Sequence, residues 1–153
     1  MHIGVLCVAG RPSDWAADAS ENYIKRLPRA WQFSMERIAP AKRDSAGQRK
    51  DDEWQRLQRH LKANDIVILL DERGKSLASR QIATRINDWQ REGCNLKFIV
   101  GGPDGVASDC RQRATQQWSV SPMTLPHELA RLVLVEQLYR AHSIIEGHPY
   151  HRD

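Results

Sequence analysis

The sequence predicts an α/β fold, a parallel sheet flanked by helices, on three observations. Short, nearly unbroken apolar runs recur at Ile3 to Ala9, Ile66 to Leu70 and Leu96 to Val100, the pattern of strands covered on both faces. Segments with apolar residues at helical spacing separate them, and an alternation of strand and helix favours a parallel sheet with right-handed crossovers. The 153 residues suit one domain, 1–153, large enough to bury most of its apolar surface without disulfides or a structural metal.

The first strand ends at Gly10. Ser13 or Asp14 can cap a helix that runs to about Leu27, where Pro28 stops it, with Trp15, Ala16, Ala19 and Tyr23 as its apolar stripe. A strand is expected from Trp31, because Trp31, Phe33 and Met35 alternate with Gln32, Ser34 and Glu36, as on an edge strand with one wetter face. Ala39 to Gln48, polar and basic with Pro40 and Gly47, reads as a long mobile loop. Trp54, Leu57 and Leu61 fall at helical spacing, and Asp65 to Asp71 bounds a buried strand. Ile82, Ile86 and Trp89 share one helix face, which Gly93 ends. After the strand at Leu96 come a Gly-rich turn, a short helix around Asp109 to Ala114 and a strand at Trp118 to Val120. The last helix, from about His127 to Ile145, is apolar nearly all round. A small domain covers one side of such a helix, so the other side predicts a homodimer interface.

With 23 Lys and Arg against 19 Asp and Glu, the net charge is +4, which favours a polyanionic partner such as nucleic acid. Basic residues gather at Lys25, Arg26 and Arg29, at Arg37, Lys42, Arg43, Arg49 and Lys50, and at Arg111 and Arg113. Cys7, Cys94 and Cys110 are too scattered for a zinc site and fit a reducing cytoplasm. The N-terminal apolar run is too short for a signal peptide or a membrane span.

The unusual chemistry lies in loops at one expected sheet edge, where open parallel sheets bind ligands. Gly101-Gly-Pro-Asp-Gly105 lets backbone approach a ligand closely, and is equally the form of a tight strand-to-helix turn with no ligand. It matches neither a phosphate loop nor a dinucleotide fingerprint. Leu70-Asp-Glu-Arg-Gly-Lys75 closes a strand at the same edge, as a pocket rim or a solvated loop. Ser121-Pro-Met-Thr-Leu-Pro126 is rigid and offers backbone hydrogen bonds beside an apolar wall, which suits an adenine ring. His148 and His151 have no Cys or carboxylate trio to complete a metal site, and none is expected. Tyr150, His151 and Arg152 are types that stack on bases, move protons and bind phosphates, while a docked or frayed tail is the plain alternative.

Leu70-Asp-Glu-Arg-Gly-Lys75, Ile99-Val-Gly-Gly-Pro-Asp-Gly105, Leu125-Pro-His127, Glu136-Gln-Leu-Tyr-Arg-Ala141 and His148-Pro-Tyr-His-Arg152 together resemble the ribosomal RNA large subunit methyltransferase H family, over essentially the whole chain. The resemblance implies the SPOUT fold, with its C-terminal part tied into a trefoil knot that holds S-adenosylmethionine, and a site built by two protomers. Carried over by motif, the cofactor contacts Leu70, Gly102, Ser121, Pro122, Met123, Thr124, Leu125 and Pro126. The implied substrate is a pseudouridine of 23S ribosomal RNA in the large subunit, methylated at N3, on assembled ribosomes. Its N3 carries a proton, so His151 is expected as base or relay, Arg152 as anion clamp and Tyr150 as stacking platform, with His127 and Arg140 supporting tail or RNA. Two rivals stand against this: a non-catalytic ribosome-associated RNA-binding factor, and a Rossmann-type small-molecule methyltransferase, which Ala9-Gly-Arg-Pro12 disfavours for want of its glycine motif.

Overall fold

Alternation along each strand decides which helices its side chains meet. In the first strand, β1 (Ile3–Val8), Ile3, Val5 and Cys7 point to one face and Leu6 and Val8 to the other, and all are buried. The computed structural model describes residues 1–152. Its other strands are β2 (Ser34–Ile38), β3 (Ile66–Ser76), β4 (Leu96–Val100) and β5 (Gln116–Ser119), all parallel, in the order β2-β1-β4-β3-β5. The helices are α1 (Asp14–Ile24), α2 (Ala46–Leu57), α3 (Ser79–Arg91), α4 (Ser108–Arg113) and α5 (His127–Ile145).

The face carrying Val5, Cys7, Ile68, Phe98 and Val100 packs on Ala83 and Ile86 of α3 and Leu134 and Leu138 of α5. The opposite face, with Leu6, Val8, Val67, Leu69 and Ile99, packs on Trp54 and Leu57 of α2 and Cys110 of α4. The expected sheet with helices on both sides is thus the fold. The last helix also has its expected span, and within one chain it buries Leu134, Val135, Leu138, Tyr139 and Ala141. Leu132, Val133, Ile144 and Ile145 stay half-buried, and Leu129 is exposed. No helix among the described residues is long and apolar enough to cross a membrane.

Several local expectations give way to tertiary packing. Trp31 does not begin a strand: it lies in a 3-10 turn, Arg29–Trp31, and β2 starts at Ser34. The buried indole donates to Gln90 Oε1 at 2.7 Å and meets the His142 ring edge-on, contacts a strand conformation would forfeit. Ser13 sits at the N-cap of α1 but caps nothing with its hydroxyl; Glu128 accepts from its N–H at 2.6 Å and its hydroxyl at 3.0 Å. The basic loop is shorter than expected, because Ser45 caps α2 by accepting from Gln48 N at 3.1 Å. It is also pinned, with Ala39 O accepting from Arg56 at 2.6 Å and Ala41 N donating to Glu53 at 3.0 Å.

The largest departure is in β3, which does not stop at Asp71. Leu70 and Lys75 both register with Trp118 of β5, so the charged residues between them bulge outward and the strand then resumes to Ser76. Gly74 makes the return possible, since a Cβ there would lie 2.6 Å from the carbonyl carbon of Trp118.

Candidate active site

The C-terminal ends of β3, β4 and β5 open into a cleft of about 530 Å³ that also takes in the start of α5. Its apolar lining comes from Leu70, Val100, Met123, Leu125 and Ala130, and its polar lining from Asp71, Arg111, Ser121, Thr124 and His127. Of the residues assigned to the cofactor from the sequence, Leu70, Gly102, Ser121, Met123, Thr124 and Leu125 line this cleft, while Pro122 and Pro126 are exposed and do not. The parallel topology brings them together, because every strand delivers its following loop to the same edge.

Two braces hold the segment after β5. Ser119 Oγ donates to Ser121 O at 2.8 Å, and Ser121 Oγ accepts from Met123 N at 3.0 Å. Thr124 Oγ1 donates to Glu72 Oε2 at 3.3 Å, joining the segment to the bulge of β3. The Gly-rich turn closes through Gly105 N donating to Gly102 O at 3.0 Å. Side chains have no room behind it: a Cβ on Gly101 would stand 2.6 Å from Val106 Cγ1, and one on Gly102 3.1 Å from Val8 Cγ1.

Asp71 is one of several charged residues in the cleft lining, with Lys50, Glu72, Arg73, Asp104 and Arg111. Burial pushes its pKa up, but hydrogen bonds from the Arg73 backbone and from Arg111, with the charges of both arginines, outweigh that and hold it below the ordinary value. Arg111 Nη1 reaches Asp71 Oδ2 at 2.5 Å. The sequence reading had placed Asp71 only in a charged strand end and Arg111 only in a basic cluster; their meeting depends on the β3–α4 juxtaposition, which no local pattern reveals.

Sequence reading also missed the bracket formed by α2. Arg49 donates to both oxygens of Asp104, at 2.7 and 3.2 Å, and to Arg43 O at 2.9 Å. One turn on, the buried Glu53 binds Ala41 N and lies beside Gly102. These two side chains fix the basic loop to the Gly-rich turn. Arg49→Ala is therefore expected to weaken occupancy of the cleft about fivefold, and the reversed pair Arg49→Asp with Asp104→Arg to recover much of it. Titration calorimetry with the ligand proposed below reads this; equal loss in the reversed pair would mean the contact is not the cause.

The structure separates the remaining candidates. His127 opens α5 and lines the cleft, whereas Arg140, Tyr150 and His151 gather at the other end of the same helix. From His127 to Glu136 and Arg140, where the tail docks, is about 14 to 20 Å at 1.5 Å per residue. The tail is docked there as far as His151: Pro149–His151 forms a 3-10 turn, and the Tyr150 ring meets Tyr139 edge-on at 4.7 Å. Tyr150 OH donates to Glu136 Oε1 at 3.1 Å, which Arg140 Nε also reaches at 3.0 Å, and Arg140 Nη1 donates to His151 O at 3.3 Å. Burial first, then hydrogen bonds involving Tyr23 and Glu136, push the Tyr150 hydroxyl well above its ordinary pKa. Arg26 lies over the Tyr139 ring at 4.1 Å, a cation–π contact that ties α1 to this end. Arg152 is exposed, and His151 Nδ1 is buried with no hydrogen-bond partner among the described residues.

Comparison with known proteins gives a consistent result. A family model described as "Predicted SPOUT methyltransferase" matches residues 1–151. The protein named Ribosomal RNA large subunit methyltransferase H from Nitrosococcus oceani is 43% identical over 155 residues, covering 99% of both chains. The protein of the same name from Methylococcus capsulatus is 40% identical over 99% of this chain and 100% of its own. Among solved structures, the SpoU methyltransferase AviRb from Streptomyces viridochromogenes, in complex with AdoMet, aligns with a TM-score of 0.42 and 15% identity. That alignment covers 91% of this chain, which spans 57% of the other.

Proposed function

The chain belongs to the SPOUT methyltransferase family, and on that footing we propose that it is an S-adenosylmethionine-dependent methyltransferase of 23S ribosomal RNA. Its target is N3 of a pseudouridine in the large subunit, and it acts in the cytoplasm as a homodimer on assembled ribosomes. The observation that carries this reading is the cleft, where Leu70, Gly102 and residues 121 to 125 converge in a chain whose relatives bear that name over their full length.

The residues present fit the cofactor. Gly101 and Gly102 are packed from behind, so their backbone faces the cleft with no side chain in the way, and Leu70, Val100 and Leu125 offer an apolar wall for a purine. The segment 121 to 124 presents backbone groups already held by its own hydrogen bonds, which lowers the ordering cost of binding. When bound, S-adenosylmethionine supplies an electrophilic methyl group on sulfur. The knot implied by the family is the device that keeps these loops together.

The protein's largest contribution is then to hold the reacting groups in line. N3 of the target must lose its proton, and the tail supplies suitable groups: His151 accepts or relays the proton, Arg152 offsets the negative charge on the base or its phosphate, and Tyr150 stacks. In one chain the tail docks on Glu136 and Arg140, about 14 to 20 Å along α5 from His127, so these residues serve the cleft of a second copy. Leu132, Val133, Ile144 and Ile145, left half-buried on α5, provide the interface. His127 at the cleft and Arg140 at the tail complete the substrate contacts from opposite ends of α5.

Incubating unmodified ribosomes with the protein and S-adenosylmethionine, followed by mass mapping of the RNA, tests reaction, base and position together. One added methyl on a large-subunit pseudouridine is expected. Donor binding without any RNA product would overturn the substrate assignment.

A further inference from the structure

The chain leaves α5 through Gly147, whose φ of 67° lets it reverse, and His148 N donates to Ser143 O at 2.8 Å. Beyond that point the tail is held by side chains. Tyr150 reaches back along α5, and its hydroxyl donates to Glu136 Oε1 at 3.1 Å. The same oxygen accepts from Arg140 Nε at 3.0 Å and Nη2 at 2.5 Å, and Arg140 Nη1 donates to His151 O at 3.3 Å. The other oxygen, Oε2, accepts from Gln137 Nε2 at 2.7 Å, while Gln137 Oε1 accepts from Ser79 Oγ of α3 at 2.6 Å. One carboxylate thus joins the tail to α5, and Gln137 steadies it from a second helix.

An i, i+4 pair such as Glu136 and Arg140 is ordinarily a weak surface contact. This one differs in two ways. Its side chains are only 18% and 28% exposed, and its acceptor is shared with a residue 14 positions further on. Arg140 also lies over the Tyr150 ring at 5.0 Å and Arg26 at 5.4 Å, while Tyr139 meets that ring edge-on at 4.7 Å. These contacts hold the ring, and the bond from its hydroxyl to Glu136 fixes where along α5 it stands. Burial first, then a hydrogen bond with Tyr23 and the charge of Glu136, hold the Tyr150 hydroxyl well above its ordinary pKa, so it keeps the proton it donates.

We propose that Glu136 is the positioning residue of the tail: its carboxylate sets where Tyr150 and, through Arg140, His151 stand when the tail is presented to the cleft of a second copy. This rests on the proposed role of the tail in a two-copy site and adds a residue that acts through the tail alone. The hydrogen-bond geometry makes the carboxylate specific. Both of its oxygens face donors, so the amide of a glutamine sets an N–H against Arg140 and Tyr150 or against Gln137, whichever way it is turned. Aspartate keeps the charge but stops one methylene short.

The test measures methylation of unmodified ribosomes, S-adenosylmethionine affinity and the rate at which a carboxypeptidase trims past His151, in the wild type, Glu136→Gln, Glu136→Asp and Tyr150→Phe. Glu136→Gln is expected to lower kcat at least about tenfold, leave the donor dissociation constant within about twofold and speed trimming at least about fivefold. Glu136→Asp recovers part of both losses. Tyr150→Phe removes the same bond without touching α5 and covers the case in which glutamine impairs folding; adding Glu136→Gln to it costs less than the product of the two single losses. Mixed dimers then place the residue. Co-expression with Gly102→Val, which fills the cleft and leaves the tail sound, restores activity to Glu136→Gln, whereas co-expression with Arg152→Ala does not. Rescue by Arg152→Ala, wild-type kcat in Glu136→Gln, or donor affinity lost in step with kcat overturns the assignment. A wild type that methylates no ribosomes defeats the functional reading and the catalytic use of the tail, while unchanged trimming in Glu136→Gln defeats the anchor itself.

Discussion

Gly74→Ala is expected to cost the fold about 3 kcal/mol or more, read as a lower denaturant midpoint at unchanged slope. The added methyl would sit 2.6 Å from the Trp118 carbonyl carbon and 2.7 Å from both Trp118 N and the Gln117 carbonyl carbon. All three are backbone atoms of β5, so no rotamer change relieves the overlap. β5 is an edge strand paired only with β3, and pushing it away breaks the two registers that Trp118 makes with Leu70 and Lys75. The stacked Trp89 and Trp118 rings and the edge contact with Phe98 would separate with it. Ser119 to Ser121 follows directly from β5, hence donor affinity should fall together with stability. Gly10→Ala is the control: nothing lies within 4 Å of a Cβ there, and a change within about 0.5 kcal/mol is expected. Equal melting of the two variants would show that the close approach of β3 to β5 does not constrain the chain.

The same residue shows what a sequence can and cannot say. Strands covered on both faces were visible at Ile3, Ile66 and Leu96 because burial on two sides leaves an apolar run, and α5 was visible from end to end because a long apolar segment with prolines before it has few other uses. Gly74 looked like one more glycine in a charged strand end. Its role comes from β5, more than forty residues later, crossing its Cα, and proximity of that kind leaves no periodic trace. The site divides in the same way. Leu70, Gly102 and Ser121 to Pro126 are expected from the family resemblance, and the parallel topology brings Leu70, Gly102, Ser121, Met123, Thr124 and Leu125 of that set to one sheet edge. Arg49, Glu53 and Arg111 act through partners on other elements, and their side-chain types alone read as ordinary helix solvation. Trp31 failed in the opposite sense, since its alternation with Phe33 and Met35 was real but the indole was needed in the layer between α3 and α5.

Alanine at Arg152 is expected to lower turnover at least about a hundredfold, the scale of a lost proton-transfer or charge-stabilising group, while donor affinity stays within about twofold. Donor binding is spared because the tail docks on Glu136, Tyr139 and Arg26, and Glu136 and Tyr139 stand about 14 to 18 Å by helix rise from where His127 meets the cleft of the same chain. That separation also makes the two-copy site testable by complementation. Gly102→Val removes the cleft by driving a branched side chain toward Val8 Cγ1, already 3.1 Å from a single Cβ, and leaves the tail intact. Arg152→Ala does the reverse. Each homodimer should be inactive, yet in a mixed dimer one cleft is sound and faces the sound tail of its neighbour. Random assembly makes half the dimers mixed, with one working site of two, so co-expression is expected to restore about a quarter of wild-type turnover per site. If each tail served its own cleft, no chain in the mixture would carry both parts and activity would stay at the level of the single variants.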